Sequence, residues 1–545
     1  MLTNNATLPF INPATGLQYG EMKASTEQDV AQAMSDLRHA RPLWANKMPQ
    51  ERTAALRKFR EHLIDKADDI SAVLNKNCGK TRQDGLVEVF ITVDNLSNMI
   101  KHAPRWLKRT RVPRGLYFFK RYYAEPIPFG VVAVIGPWNY PLVQVLTPVL
   151  AALAAGNTII IKPSEAAPAV GLLFAELFAA VPELAPYVRV VHGGPEIGKA
   201  VVSAPPDLIF VTGSEGTGKA IHRAAAENLT PVITELGGKD AMLVLEDADI
   251  RAAAKWGVWG AYYHSGQVCM SVERVYVVEA VYDEFVAAVK EEAAQFKIGY
   301  TPDIDSPYNC GPISFPRQLD IIADHLADAQ AKGADVIVGG ETEGMFVNPA
   351  VLVNVNHDMK IMREETFGPT LPIMKVKDEA EAIRLANDSD YGLCAYVWSQ
   401  DLQRAERVGR QLEAGTIVTN DAMAHYAVSQ LPFGGIKKSG NGRIHGRDEI
   451  MQFTQLKGYA IGPAPMPMDV ATVLRQPNRY KEMKALMKLV FGNWRQKAEV
   501  FTTDLPADGE AASPTTNTAS TAVAAAGVAL VATGIVLSLI GRSKK

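Results

Sequence analysis

Between Gly130 and Gly238 the chain alternates short, uninterrupted apolar runs with longer stretches of helical spacing. The runs fall at 131–135, 158–161, 188–192, 208–212 and 232–236. A strand that is apolar at every residue, rather than at every second one, is buried on both faces, so the pattern predicts a parallel sheet covered by helices. After Gly238 a second α/β series begins. Strands are predicted at 241–245, 274–278, 335–338, 370–376, 393–398 and 416–419, and helices at 249–263, 280–296, 316–331, 378–387 and 401–412. Upstream, after a turn at Asn12-Pro13-Ala14-Thr15-Gly16, Glu27–Ala45 and Gln50–Asn77 carry apolar residues at helical spacing and read as helices decorating the first sheet region.

The segment between Trp106 and Ala124 breaks this rhythm, interleaving Lys108, Arg109, Arg111, Arg114, Lys120 and Arg121 with Tyr117, Phe118, Phe119, Tyr122 and Tyr123. Such a run suits a nucleic-acid or lipid-headgroup patch, or a strand ribbon at a subunit contact, and the alternation favours the ribbon. A net charge of −3 over 545 residues leaves no electrostatic footprint for nucleic acid. The apolar share of 47% is that of a globular chain with a large core. Cys78, Cys269, Cys310 and Cys394 lie far apart without a CxxC pair, which argues against a disulfide framework and a zinc site and predicts a reducing compartment. Met1 to Phe10 lacks the basic start and apolar core of a secretory signal.

Candidate chemistry gathers around Ser265-Gly266-Gln267-Val268-Cys269-Met270-Ser271, a polar turn between a predicted helix and a strand. A lone cysteine is commonly a small buried hydrophobe. Its companions point instead to a nucleophile. Thr234-Glu235-Leu236-Gly237-Gly238-Lys239 ends an apolar strand with a carboxylate beside two glycines, where the backbone can approach another group closely. The strand from Val131 to Ile135 is closed by a rigid turn, Gly136-Pro137-Trp138-Asn139-Tyr140-Pro141, that holds one side-chain amide. Ligands of parallel sheets bind at the carboxyl ends of the strands, where this chain carries Asn139, Lys162 with Glu165, and Gly213 with Ser214. In Lys162-Pro163-Ser164-Glu165 the lysine and glutamate suit either the hydroxyls of a ribose or a surface salt pair. The turn from Gly213 to Lys219 departs from the strict dinucleotide fingerprint, yet its backbone N–H groups at a helix start favour a phosphate.

Together with Met362-Arg363-Glu364-Glu365-Thr366-Phe367-Gly368-Pro369 and Pro432-Phe433-Gly434-Gly435-Ile436-Lys437-Lys438-Ser439-Gly440, these segments resemble the NAD(P)-dependent aldehyde dehydrogenase superfamily from about Phe10 to about Tyr459. The resemblance implies an α/β fold: a Rossmann-type parallel-sheet cofactor domain (1–104 and 129–236), a second α/β catalytic domain (237–447) and a small β oligomerisation element (105–128 and 448–462). It implies Cys269 as nucleophile, Glu235 as general base and Asn139 as oxyanion donor. It further implies a cofactor site of Trp138, Lys162, Ser164, Glu165, Gly213, Ser214, Gly218, Leu236, Glu365 and Phe367, with no metal. Glu365 would hold the nicotinamide ribose and Phe367 would pack near the ring. The segment 432–440 would line the substrate entrance, and the assembly would be a homodimer or homotetramer.

The chemistry requires these groups. An aldehyde carbon holds its hydrogen tightly, and addition of a thiolate creates a tetrahedral alkoxide that can release hydride. Asn139 Nδ2 and the Cys269 N–H would hold the oxyanion, a single such donor being worth about 3 kcal/mol. Glu235 would then activate water on the thioester, which favours hydrolysis over transfer to coenzyme A. Glu165 disfavours the 2′-phosphate of NADP, so NAD is the expected cofactor, with NADP possible. Tyr140 to Val149 carries no charge, and Thr147 stands where semialdehyde-oxidising relatives often have arginine. An apolar medium- or long-chain aldehyde is therefore expected. Succinate semialdehyde is the alternative, favoured by the run Gly266 to Val277, and a non-catalytic membrane-tethered scaffold is the alternative of another class.

Past Tyr459 the resemblance ends. Residues 463–502 form an extension whose stretch Lys481 to Trp494 is basic and amphipathic, suited to a membrane surface or to packing on the enzyme. Residues 503–521 have linker composition. Residues 522–541 carry no charge and would span about 30 Å as a helix, enough for a bilayer. The expectation is an enzyme anchored in a membrane by its C-terminus, its catalytic part cytoplasmic, although Arg542, Lys544 and Lys545 then fall on the side that positive charge avoids. A core helix or a targeting peptide is the other reading.

Overall fold

The computed structural model describes residues 6–115, 119–463, 475 and 480–502. They fall into two compact units, one of residues up to 108 with 126–455, the other of 109–125 with 456 onward.

The first unit is built on two sheets. Val131–Ile135 (β1), Thr158–Lys162 (β2), Val188–Val190 (β3), Leu208–Thr212 (β4) and Val232–Glu235 (β5) form a wholly parallel sheet in the order β3-β2-β1-β4-β5. The strand order reverses direction between β1 and β4, the switch point at which doubly wound sheets open a crevice. β1 and β2 are buried at every residue, as their unbroken apolar runs require. Arg82–Trp106 (α1) packs on Val143–Ala155 (α2), which lies against β1 and β2, and α2 is buried on all sides because it is apolar nearly all round. The last carbonyls of α2 lack helical partners; Trp44 Nε1 and Arg52 Nε supply them, reaching Leu153 O and Ala154 O at 2.9 Å.

The second sheet contains Ala241–Val244 (β6), Arg274–Val278 (β7), Asp335–Val338 (β8), Ala350–Val353 (β9), Thr370–Val376 (β10), Cys394–Trp398 (β11) and Thr416–Thr419 (β12) in the order β8-β9-β10-β7-β6-β11-β12. All neighbours are parallel except β8 with β9. Strand β9 has no counterpart in the sequence expectation. The expected helix 50–77 is two helices, Pro49–Asp65 and Ala67–Cys78, broken at Lys66. The fold is α/β with a Rossmann-type parallel sheet and a further α/β sheet, as expected.

In the second unit, the basic aromatic ribbon pairs as Thr110–Val112 against Arg121–Pro128, with Thr454–Ile461 on the other side of the latter. The expected strand segment 448–462 starts as a helix, Gly446–Gln452, and turns to strand only at Thr454. The Arg109 guanidinium stacks on the rings of Tyr123 and Tyr459, 3.9 and 4.3 Å from their centroids, so part of the run's charge is absorbed by its own aromatics. The amphipathic stretch forms helices Tyr480–Phe491 and Trp494–Thr502, joined by Lys488 to Glu499 at 2.6 Å. Among the described residues no helix is long and apolar enough to cross a membrane. The expected linker 503–521 and spanning segment 522–541 lie outside the described residues.

Candidate functional site

A cleft of about 970 Å³ runs from the carboxyl ends of β1, β2, β4 and β5 to the amino-terminal edge of the second sheet. That volume is within the range of small-ligand sites. From the first sheet it takes Trp138 and Asn139, which follow β1; Lys162, Ser164 and Glu165, which end and follow β2; Gly213 and Ser214 after β4; and Glu235 and Leu236 at the end of β5. From the other side it takes Cys269, before β7, and Glu365 and Phe367, before β10. The expected residues thus meet around one space, with one difference. Gly218 lies inside helix Glu215–Ala226 (α3), where a Cβ would stand 2.9 Å from Leu236 Cδ1; it permits the helix to pack on Leu236 and does not reach the wall.

The cysteine turn is held in a conformation few sequences allow. His264, Ser265 and Gly266 have φ of 50°, 55° and 71° in succession. Only glycine fits the third position, because a Cβ on Gly266 would come 2.1 Å from the carbonyl oxygen of Gly368. Ser265 Oγ donates to Gly311 O at 2.6 Å, and Gln267 Nε2 to His264 O at 2.9 Å. Past the thiol, Tyr396 OH donates to Met270 O at 2.5 Å and Ser271 Oγ to Gly260 O at 2.9 Å. The result is a fixed backbone on both sides of Cys269, which is half-buried, whereas Cys78, Cys310 and Cys394 are buried. Burial pushes the Cys269 thiol up, and the nearby carboxyls of Asp240, Glu365 and Glu235 push it further.

Asn139 Nδ2 donates to Gln267 O at 3.0 Å, two residues before the thiol. The amide has a second hydrogen, and the residue faces the cleft. Glu235 is 4% exposed, and its Oε1 has no hydrogen-bond partner among the described residues. Burial raises its carboxyl well above the usual range; Glu449 adds to this and Arg443 opposes it. The loop predicted to line the entrance lies against this group: Leu236 N donates to Ser439 O at 2.9 Å, and Cβ atoms on Gly434 or Gly442 would stand 2.8 and 2.7 Å from Glu235 Oε1.

The turn holding Glu365 and Phe367 is anchored by a residue without an expected role. Glu273 pairs with Lys239 Nζ at 2.6 Å, the two side chains being almost wholly buried, and accepts from Thr366 N at 3.1 Å and Phe367 N at 2.9 Å. Phe367 meets Trp138 edge to face at 5.5 Å. Glu365 accepts from Gly238 N at 2.9 Å, and burial pushes its carboxyl up to about 8. Lys162 and Glu165 pair with each other at 2.8 Å, Lys162 buried and Glu165 open to solvent at 40%. Sequence reasoning missed Gln144, Gln318 and Arg317 on the wall. They come from helix interiors or helix starts, and nothing in their spacing sets them apart.

A dinucleotide fits this wall on three counts. The N-terminus of α3 faces the cleft through Ser214, which caps Thr217 N. Gly213 leaves open space, the nearest atoms to an added Cβ being 3.8 Å away. Thr212 Oγ1, buried on the same wall, has no partner among the described residues.

Comparison with known proteins agrees. A family model described as the aldehyde dehydrogenase family matches residues 2–459. A 4,4'-diapolycopene aldehyde oxidase of Methylomonas is 39% identical over 89% of this chain and 92% of its own. A protein assigned as a succinate-semialdehyde dehydrogenase (NADP+) of Mycolicibacterium smegmatis is 33% identical over 88% of this chain and 94% of its own. The crystal structure of betaine aldehyde dehydrogenase from Staphylococcus aureus in complex with NAD+ superposes with a TM-score of 0.81 at 28% identity, covering 85% of this chain and 93% of that one.

Proposed function

The chain belongs to the aldehyde dehydrogenase family, a family of oxidoreductases, and from that premise we propose that it oxidises a lipophilic, long-chain aldehyde to its carboxylate with a nicotinamide dinucleotide as oxidant. The observation that carries the reading is the meeting of Cys269, Asn139 and Glu235 in one cleft, with Glu235 Oε1 unpartnered among the described residues.

In this reading the Cys269 sulfur bonds to the aldehyde carbon and the carbonyl oxygen becomes an alkoxide. Asn139 Nδ2 and the Cys269 N–H hold it, each such donor contributing about 3 kcal/mol. Lys162, Glu165, Ser214 and the Gly213 turn would hold the dinucleotide, and Glu365 and Phe367 would bound its nicotinamide end. Bound there, the oxidised dinucleotide supplies a hydride acceptor and a positive ring charge, the counterweight to the carboxyls that push the Cys269 thiol up. Once the substrate carbon has given up its hydride and the C=O bond has re-formed as a thioester on Cys269, Glu235 takes a proton from water, hydroxide adds to the thioester carbon, and the carbon–sulfur bond breaks to release the carboxylate and the Cys269 thiolate.

The substrate class is supported by the relative named for a polyene aldehyde and by α2, which enters the site region without a charged residue. A membrane setting fits such a substrate. On helix Tyr480–Phe491 the side chains of Tyr480, Met483, Met487 and Phe491, on one face, are 57–76% exposed, flanked by Lys484 and Lys488, as on helices that lie in a bilayer interface. The proposed arrangement places the catalytic part on the cytoplasmic side. The identity to a succinate-semialdehyde enzyme supports the alternative substrate. The test is a kcat/KM series from hexanal to dodecanal beside succinate semialdehyde, with NAD and NADP, on the protein and on Cys269→Ala. Rising kcat/KM with chain length, lost in Cys269→Ala, is expected; a preference for the semialdehyde would select the alternative, and activity in Cys269→Ala would overturn the reading.

A further inference from the structure

A buried ion pair stands behind the segment that carries Asn139. Lys80 follows the helix that ends at Cys78, Glu88 lies on α1, and both side chains have 0% exposure. Lys80 Nζ is 2.6 Å from Glu88 Oε1 and 3.5 Å from the centroid of the Tyr140 ring. Glu88 Oε2 accepts the N–H groups of Leu142 and Val143, each at 3.2 Å. These are donors that the start of α2 leaves without a helical partner, and no side chain of the helix's own N-terminal residue supplies one. A single carboxylate therefore clamps the chain at 142–143 while its counter-ion clamps the ring at 140. The His264 ring, from the cysteine turn, holds Asn139 O through Nε2 at 3.1 Å; burial, with the Lys80 charge adding to it, holds this imidazole well below its usual pKa, so it is neutral and donates. Asn139 is fixed between two anchors, one on the cysteine turn and one on the Lys80–Glu88 pair.

Two desolvated charges are a costly way to hold a loop, several kcal/mol per ion before their attraction offsets it. Packing alone would be served by apolar residues of similar volume. What apolar residues cannot supply is an acceptor for Leu142 N and Val143 N, and a cation against Tyr140. We propose that Lys80 and Glu88 are positioning residues for the oxyanion donor: Glu88 fixes the entry to α2, Lys80 supplies its counter-charge, and the pair sets where Asn139 Nδ2 stands relative to Cys269. This rests on the reading of Asn139 as the oxyanion donor.

The experiment is a double-mutant cycle between the pair and Asn139, read in kcat/KM for the aldehyde. Lys80→Met/Glu88→Leu removes both charges together, so that neither member of the pair is left buried without the other. Its expected kcat is lower by about tenfold or more, since small misplacements of a reacting group have effects of that size, with the dinucleotide Kd unchanged. Asn139→Ala alone is expected to lower kcat/KM by about 10²-fold or more. In the Asn139→Ala background, replacing the pair is expected to cost nothing further. Full activity in Lys80→Met/Glu88→Leu overturns the proposal, as does a loss that persists undiminished beside Asn139→Ala, which would mark the pair as merely structural. Should that variant not fold, Lys80→Met/Glu88→Gln removes both charges and keeps an amide oxygen as acceptor for Leu142 N and Val143 N; its smaller loss must vanish in the same background or the proposal falls. If Asn139→Ala by itself leaves kcat/KM intact, it is the oxyanion reading that fails, and the cycle shows this separately.

Discussion

Replacing Glu235 by glutamine separates the two halves of the proposed reaction. The side chain is 4% exposed with Oε1 unpartnered among the described residues, and its carboxyl is raised well above the ordinary range, chiefly by burial. Glutamine has nearly the same volume, so the 434–442 loop packed on this group is kept, while the proton acceptor is lost. A positioned general base contributes about 10²- to 10⁴-fold, and that factor should fall on thioester hydrolysis alone. Rapid mixing of Glu235→Gln with aldehyde and NAD should show a burst of reduced cofactor close to one per site, then a steady rate at least about 10²-fold below that of the parent. The pH sign follows from the raised carboxyl. Only the ionised form accepts a proton, so the parent's steady rate should rise with pH through the raised value and fall about tenfold per unit below it; Glu235→Gln should lose that limb. Stability runs the other way. A carboxyl whose folded value is raised favours the protonated folded state, a contribution present below the ordinary carboxylate pKa and lost as pH rises through the folded value. The glutamine variant should thus be no less stable than the parent at pH 8, which removes unfolding as an explanation. An unchanged steady rate, or loss of the burst itself, would refute the reasoning.

Three further outcomes are expected. Gly266→Ala places a Cβ 2.1 Å from Gly368 O at φ +71° and should lower unfolding free energy by about 2–4 kcal/mol, read by denaturant titration; a change below about 0.5 kcal/mol would contradict the strained-turn account. Glu273→Gln leaves the Lys239 ammonium buried without its counter-ion and loosens the Thr366 and Phe367 amides, so calorimetry should show a loss of about 3 kcal/mol or more together with weaker NAD binding. Glu165→Gln should improve kcat/KM with NADP relative to NAD by about tenfold, like charges at close range being worth that much; an unchanged ratio would place the 2′-hydroxyl discrimination elsewhere.

The first sheet was legible because its central strands are buried on both faces. The runs at 131–135 and 208–212 coincide with Val131–Ile135 and Leu208–Thr212. The second sheet was less so: Ala350–Val353 directly follows the turn-rich stretch from Gly339 to Pro349 and merges with it in the sequence pattern. The joint at Lys66 left no trace, since the residues on both sides continue a helical pattern. At the site, Glu235, Asn139 and Cys269 announced themselves by chemistry at element ends. Lys80, Glu88 and Glu273 did not: Lys80 and Glu88 are close in sequence, but the groups they hold at Tyr140, Leu142 and Val143 lie far along the chain, as do the Lys239, Thr366 and Phe367 partners of Glu273, and a lone charge reads as solvated until such partners are placed beside it. The carboxyl-end rule found one wall only, as Cys269, Glu365 and Phe367 stand at the amino-terminal edge of the other sheet.

The central claim is that an acyl group passes through the Cys269 sulfur on its way from aldehyde to carboxylate. Its most direct test is peptide mass spectrometry of the Glu235→Gln variant, acid-quenched during the burst with a long-chain aldehyde and NAD. The account predicts the acyl mass on the peptide that carries Cys269, and none when NAD is withheld. An acyl mass on another residue, or a full burst with Cys269 unmodified, would contradict it.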